Sequence, residues 1–165
     1  MHTPICIYTD GSCLGNQFDN ACGGYGAIMQ INGDTIELAQ GYSCTTNNRM
    51  ELRAVIAALK VISTPSLITI MSDSKYVVEA FKQGWIDKWN TNGWKKSNRK
   101  PVENQDLWKE MLETLHSHNV EWLWVKGHSG NSFNERADHL ACIAAASDNM
   151  LEDVGLTTAT IVHKY

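Results

Sequence analysis

The chain opens on a short apolar, β-prone run, Pro4 to Asp10 (PICIYTD), closed by an acid. A run of that kind predicts a buried strand ending at Asp10. Gly11 to Gly24, rich in Gly and Asn, reads as a long polar loop. Tyr25 to Ile31 predicts a second strand, Asn32-Gly33 is a hairpin signal, and residues 34–42 supply a third, antiparallel strand. Between Thr45 and Ile62 the period changes. Leu52, Val55, Ile56 and Leu59 stand at i, i+3, i+4 and i+7, the apolar stripe of a helix. Leu67 to Met71 is a further short strand, ending at Ser72-Asp73, and residues 74–83 read as a helix. A helix over 104–116 puts Trp108, Met111, Leu112 and Leu115 on one stripe. Val120 to Lys126 alternates as a strand does. Gly127 to Asn131 is a loop, and Ser132 to Ala146 is a helix with Ala137, Leu140, Ala141 and Ala144 inward. Residues 147–165 are poorly patterned, with 157–162 open between a short strand and a loose tail. The order β-β-β-α-β-α-(α)-α-β-α predicts an α/β fold, a mixed sheet covered by helices.

The 165 residues fit one domain, and 43% hydrophobic content supplies a core, which excludes a disordered chain. No apolar run approaches the roughly 18 residues of a membrane span. Met1 to Tyr8 lacks the pattern of a secretory signal, so a cytoplasmic protein is expected. The five cysteines form no CxxC pair, which points to reduced thiols rather than a zinc site or disulfide framework. The net charge of −4 argues at first against a nucleic-acid partner. Its distribution reverses that. Lys82, Lys88, Lys95, Lys96, Arg99 and Lys100 face Asp87 alone within residues 82–100, a local +5 that leaves −9 elsewhere. Trp85, Trp89 and Trp94 lie in the same stretch. Cations interleaved with flat aromatics suit phosphates and sugar or base faces; the competing reading is a solvated loop whose tryptophans dock on the body.

Asp10 and Asp73 each end an apolar strand, and open α/β sheets gather ligand sites outside the carboxyl ends of their strands. Two carboxylates brought together there would repel unless a cation such as Mg²⁺ neutralised them. Capping competes as an explanation. Asp73 is placed to cap the helix starting at Ser74, Asn48 and Glu51 resemble a capping box, and Ser132 with Glu135 form a better one. Asp138 and Asp10 have no capping role. His128, in Gly-His-Ser-Gly after a strand, is either a proton-transfer residue or a surface histidine. No nucleophile elbow and no P-loop is present.

Six segments in order, YTDGSCLGN (Tyr8 to Asn16), GGYGAI (Gly23 to Ile28), TTNNRMEL (Thr45 to Leu52), SDSKYV (Ser72 to Val77), GHSG (Gly127 to Gly130) and NERADHLA (Asn134 to Ala141), resemble ribonuclease H of the bacterial type 1 family. The resemblance covers about residues 1–146, taken as the domain, with 147–165 as an extension. It implies a ribonuclease H-like fold, a five-stranded mixed sheet of three antiparallel strands then parallel strands, flanked by helices. It also implies a monomeric endonuclease that hydrolyses the RNA strand of RNA–DNA hybrids. The family's carboxylate quartet maps onto Asp10, Glu51, Asp73 and Asp138. They would hold two Mg²⁺ ions (Mn²⁺ substituting) roughly 3.5–4 Å apart, with Asp10 bridging and water attacking in line to leave 5′-phosphate and 3′-hydroxyl ends. His128 matches the family's mobile histidine. Cys13, Asn16 and Asn47 look like groove contacts; Thr46, Asn47 and Asn16 resemble a pocket for a DNA-strand phosphate, aided by the helix N-terminus near Asn48. Lys82 to Pro101, with Lys88, Trp94, Lys95 and Lys96, resembles the basic handle along the DNA strand, and Trp85 matches the residue that packs on a deoxyribose.

Three features depart from the family pattern: a longer Gln17–Cys22 loop, Lys75 in place of a hybrid-contacting glutamine, and Asn90-Thr91-Asn92 where relatives are basic. An integrase- or transposase-like nuclease is disfavoured by the hybrid-recognition segments. A non-catalytic hybrid-binding module is disfavoured by the retained acids and His128.

Overall fold

The computed structural model describes residues 4–15 and 21–155. Strand β1 (Ile5–Leu14) pairs antiparallel with β2 (Cys22–Ile31), which turns back into β3 (Asp34–Ser43). The turn needs two left-handed residues, and Asn32 (φ 50°) and Gly33 (φ 86°) supply them. Helix α1 (Asn47–Val61) leads to β4 (Leu67–Ser72), parallel to β1. Helices α2 (Lys75–Lys82), α3 (Trp85–Asn92) and α4 (Gln105–Leu115) precede β5 (Asn119–Trp124), parallel to β4. Helix α5 (Ser132–Ala145) and β6 (Met150–Glu152) follow, and β6 lies parallel to β3. The sheet order is β5-β4-β1-β2-β3-β6.

The sheet therefore has six strands, not five. The sixth comes from the segment without sequence pattern, because a three-residue edge strand needs backbone pairing and not an apolar stripe. The expected Gly11–Gly24 loop is also corrected. Pairing continues to Leu14↔Cys22, so the sheet runs four residues past Asp10. Small and polar side chains conceal a strand whose faces are covered closely by helices. Residues 157–162 and Asn16 lie outside the described residues.

The main core lies between the sheet and α1, α2 and α4. Leu52, Val55, Ile56 and Leu59 are all buried there, with Ile7, Ile68 and Ile70 of the sheet and Trp108 and Met111 of α4. Helix α5 packs on the opposite face through Ala137, Ala141 and Ala144. At Gly24, Gly26 and Gly41 a Cβ would collide with its backbone, so these glycines set how closely α5 approaches.

The basic segment forms α3 and a turn closed by Lys96 N–H donating to the Lys100 carbonyl at 2.8 Å. Trp89 fastens it to the core: its ring centroid lies 5.7 Å from that of buried Trp108 and 6.2 Å from that of Trp94.

Candidate active site

Strands β1 and β4 are parallel neighbours whose register ends at Thr9↔Ser72. Asp10 and Asp73 follow that pair, so they stand at the same level on adjacent chains, Asp10 within β1 and Asp73 just past β4. Glu51 comes from α1, which can sit this low because residue 11 is glycine: a Cβ there would stand 2.6 Å from the Glu51 amide nitrogen. Gly127 plays the same part for the β5–α5 loop, since a Cβ on it would lie 2.7 Å from Asp73 Oδ2. One carboxylate oxygen from each of Asp10, Glu51 and Asp73 lies within 4.8 Å of the others. Asp138, half-buried on α5, borders the group closely enough that its charge acts on both Asp10 and Asp73.

Crowding shifts the acids. Burial, then the charges of Asp73 and Asp138, push Asp10 up to about 7. Burial, then Asp10 and Asp73, raise Glu51 well above the usual carboxylate range. Asp73 is raised by burial and by Asp138, with a smaller opposing pull from His128. Glu51 Oε2 is buried without a hydrogen-bond partner among the described residues. Among the described residues no Lys or Arg forms an ion pair with any of the four acids.

The capping explanations fail one by one. Thr46 caps α1, its Oγ1 accepting from Arg49 N–H at 3.2 Å, so the box position belongs to Arg49 and Glu51 lies beyond it. Ser74, not Asp73, caps α2 by accepting from Val77 N–H. Asn131, not Ser132, caps α5, accepting from Phe133 and Asn134 N–H at 3.1 Å each. A hydroxyl or amide nearby performs each task, so Glu51 and Asp73 are left to the cluster.

His128 is exposed in the loop above the cluster, in the left-handed conformation (φ 55°). Asn47 is exposed at the start of α1, and Cys13 Sγ lies 3.9 Å from the Thr45 carbonyl at the end of β1. Lys75 holds its ammonium 5.2 Å from the Trp124 ring centroid. Within the basic segment, Trp85 is 37% exposed and Trp94 only 8%. Lys88 and Lys95 are exposed, and Lys96 pairs with Glu103 at 3.6 Å. Trp89 and Trp94 thus dock on the body, as the solvated-loop reading expects, while Trp85 faces out.

Two features escaped sequence reasoning. Trp124 donates from Nε1 to the Asp73 carbonyl at 3.0 Å. Asp153, fully buried, takes Arg49 and Arg53. A signal for the second was present: Arg49 stands three residues before Leu52 on the inward stripe, and an inward arginine demands an acid.

A family model for RNase H matches residues 2–146. The ribonuclease H of Tolumonas auensis is 50% identical over 155 residues, covering 94% of this chain and 98% of that protein. The ribonuclease H of Idiomarina loihiensis is 48% identical over 151 residues, covering 92% and 94% respectively. Among solved structures, LC9-RNase H1, described as a type 1 RNase H with the type 2 active-site motif, is similar with a TM-score of 0.78 at 34% identity, over 97% of this chain and 82% of that one. With such relatives along nearly its whole length, and its acids gathered where the parallel pairing of β1 and β4 ends, the chain belongs to the ribonuclease H family of nucleases.

Proposed function

We propose that this protein hydrolyses the RNA strand of RNA–DNA hybrids at Asp10, Glu51, Asp73 and Asp138, leaving 5′-phosphate and 3′-hydroxyl ends. The observation that carries the reading is the convergence of the first three acids with no basic side chain of the described residues paired to them. Desolvation and mutual repulsion both oppose their ionisation, so the arrangement is unfavourable until cations enter it. The donor set fits hard divalent ions: it is all oxygen, and Glu51 Oε2 has no hydrogen-bond partner among the described residues. Mg²⁺ is the proposed cofactor, with Mn²⁺ as a substitute; two bound ions would supply an acidified water nucleophile and charge neutralisation at the scissile phosphate.

The chain's own side chains do the positioning. Asp10 lies among the other acids, close enough that each acts on it, and together with them would hold the ions. Glu51 is held by α1, and Asp73 by the Trp124 indole on its carbonyl. His128, at the rim, delivers a proton from an imidazole nitrogen to the departing 3′ oxygen. Since water is the nucleophile, the RNA 2′-hydroxyl is free to serve recognition. Thr46 and Asn47 at the start of α1 and Cys13 near the end of β1 meet the hybrid, with Asn16 as a further proposed contact, and Lys75 follows Asp73 by two residues. Trp85, Lys88, Lys95 and Lys96 line the DNA strand, with Trp94 holding their segment from below. No helix among the described residues is long and apolar enough to cross a membrane. The proposed enzyme is a cytoplasmic monomer with residues 1–146 as its ribonuclease H domain.

A gel assay with strand-labelled RNA–DNA hybrid, duplex DNA and duplex RNA, with and without Mg²⁺, tests the reading. Metal-dependent cleavage of the RNA strand in the hybrid alone is expected. Its absence would defeat the proposal.

A further inference from the structure

Asp153 sits at the end of β6, far in sequence from the acid cluster, and is completely buried. Its two oxygens accept from Thr45, Arg49 and Arg53. Oδ2 accepts from Thr45 Oγ1 at 2.7 Å and from Arg49 Nε at 2.7 Å. Oδ1 accepts from Arg49 NH2 at 2.8 Å and from Arg53 NH2 at 2.7 Å. Thr45 immediately precedes the N-cap of α1, and Arg49 is the residue whose amide that cap receives. One carboxylate therefore ties together both ends of the turn that presents Thr46 and Asn47. The same turn is held from other sides. Thr45 N–H donates to the Ala21 carbonyl at 3.0 Å, and the far fork of Arg49 reaches Asp106 at 2.9 and 2.7 Å.

We infer that Asp153 is a positioning residue for substrate binding: the C-terminal strand β6 carries it in to hold the Thr45–Arg49 turn in the shape that meets the hybrid's DNA strand. This rests on the reading that Thr46 and Asn47 touch that strand. The geometry explains why a buried acid would be committed to this spot. Arg49 and Arg53 could be neutralised by any carboxylate along their helix face. Only a carboxylate placed beyond the helix end reaches the Thr45 hydroxyl as well. That third bond serves the turn rather than charge balance. Its bonds to Thr45, Arg49 and Arg53 lie on the side of α1 away from Glu51, so its effect falls on binding and not on the chemical step. An order of contacts follows: Asp153 fixes Thr45 and Arg49, these fix the cap, and the cap sets where the Asn47 side chain and the free amides of the first turn point.

Steady-state kinetics and thermal melts on Thr45→Val, Asp153→Asn, their double variant, Asn47→Ala and the core control Ile68→Val separate this from a purely structural role. Thr45→Val removes the single hydrogen bond and leaves both arginine pairs, so it folds even where Asp153→Asn does not. KM for the hybrid should rise about fivefold or more in Thr45→Val and in Asp153→Asn, with kcat held within about twofold. The double variant should raise KM no further than Asp153→Asn alone, since the two residues act in one path. Ile68→Val should lower Tm with KM unchanged. If Asn47→Ala raises KM while Thr45→Val and Asp153→Asn lower only Tm, the inference is overturned and the proposed function stands. If the wild type leaves the hybrid uncut, or Asn47→Ala leaves KM unmoved, the underlying reading has failed and takes the inference with it.

Discussion

Helix α1 carries Glu51 toward one group of acids and Arg49 and Arg53 toward another. At about 100° per residue, positions 49 and 53 share a face and position 51 looks roughly the opposite way. On the Glu51 side, Asp10, Glu51 and Asp73 crowd together without a basic partner among the described residues, and all three are raised. On the other side, Asp153 and Asp106 meet two guanidinium groups. There the hydrogen bonds from Arg49, Arg53 and Thr45 overcome burial and bring Asp153 down to about 2. Both groups contain buried carboxylates on the same helix. What separates them is whether the protein provides the countercharge. Where it does, the acid fixes the chain around it. Where it does not, the missing charge belongs to something that binds.

The sharpest way to break that contrast is to neutralise one acid in each group. Asp10→Asn should cut hybrid cleavage by about a thousandfold or more while leaving the metal-free fold intact, checked by the strand-labelled assay and a thermal melt. A variant of near-normal activity would mean the metal bridge is misplaced. Asp153→Asn should do the reverse: about 3 kcal/mol of stability lost in urea unfolding, with cleavage still detectable at saturating hybrid. His128→Ala, which removes no acid of either group, should be about ten- to a hundredfold slower and still active. Complete loss would give the imidazole a more central part.

Lys95 and Lys96 extend the comparison to positive charge without a buried partner. Replacing both with Ala should weaken hybrid binding and lower its salt slope by about one for each phosphate no longer neutralised. An unchanged slope would remove the segment from the interface.

The smallest effect is also the most direct contrast. For a raised carboxyl, stability is fully present below its unfolded pKa and is lost as pH rises through the folded value. For a lowered one, stability is present above the unfolded pKa and is lost as pH falls through the folded value. Metal-free Tm should therefore decline from about pH 4 to about pH 7 as Asp10 ionises, and should fall separately below about pH 4 toward pH 2 as Asp153 protonates. Asp10→Asn should flatten the first slope and leave the second. Added Mg²⁺ should raise Tm more at pH 8 than at pH 5.5, because the ionised acids hold it.

Much of this was legible along the chain. The stripe of α1, the Asn-Gly hairpin and the end of β4 just before Asp73 are local patterns, and each reports which side of an element is apolar or where it stops; the end of the first strand was not legible at Asp10, since β1 runs on to Leu14. The acids themselves were also visible, with capping as the rival explanation for Glu51 and Asp73. Only the fold could decide that rivalry. Thr46 and Ser74 occupy the caps, Gly11 lets the α1 backbone close on β1, and Gly127 leaves room for the Asp73 carboxylate. The same holds for Trp85 and Trp94, equal in the sequence and separated by packing into an exposed and a buried ring. Strand β6 and Asp153 lay beyond pattern altogether. A three-residue edge strand has no period to detect, and the partner of an inward arginine can come from anywhere in the chain. Periodicity fixes how a segment meets its surroundings. Which surroundings it meets is set by long-range packing, and there the two groups of acids became different.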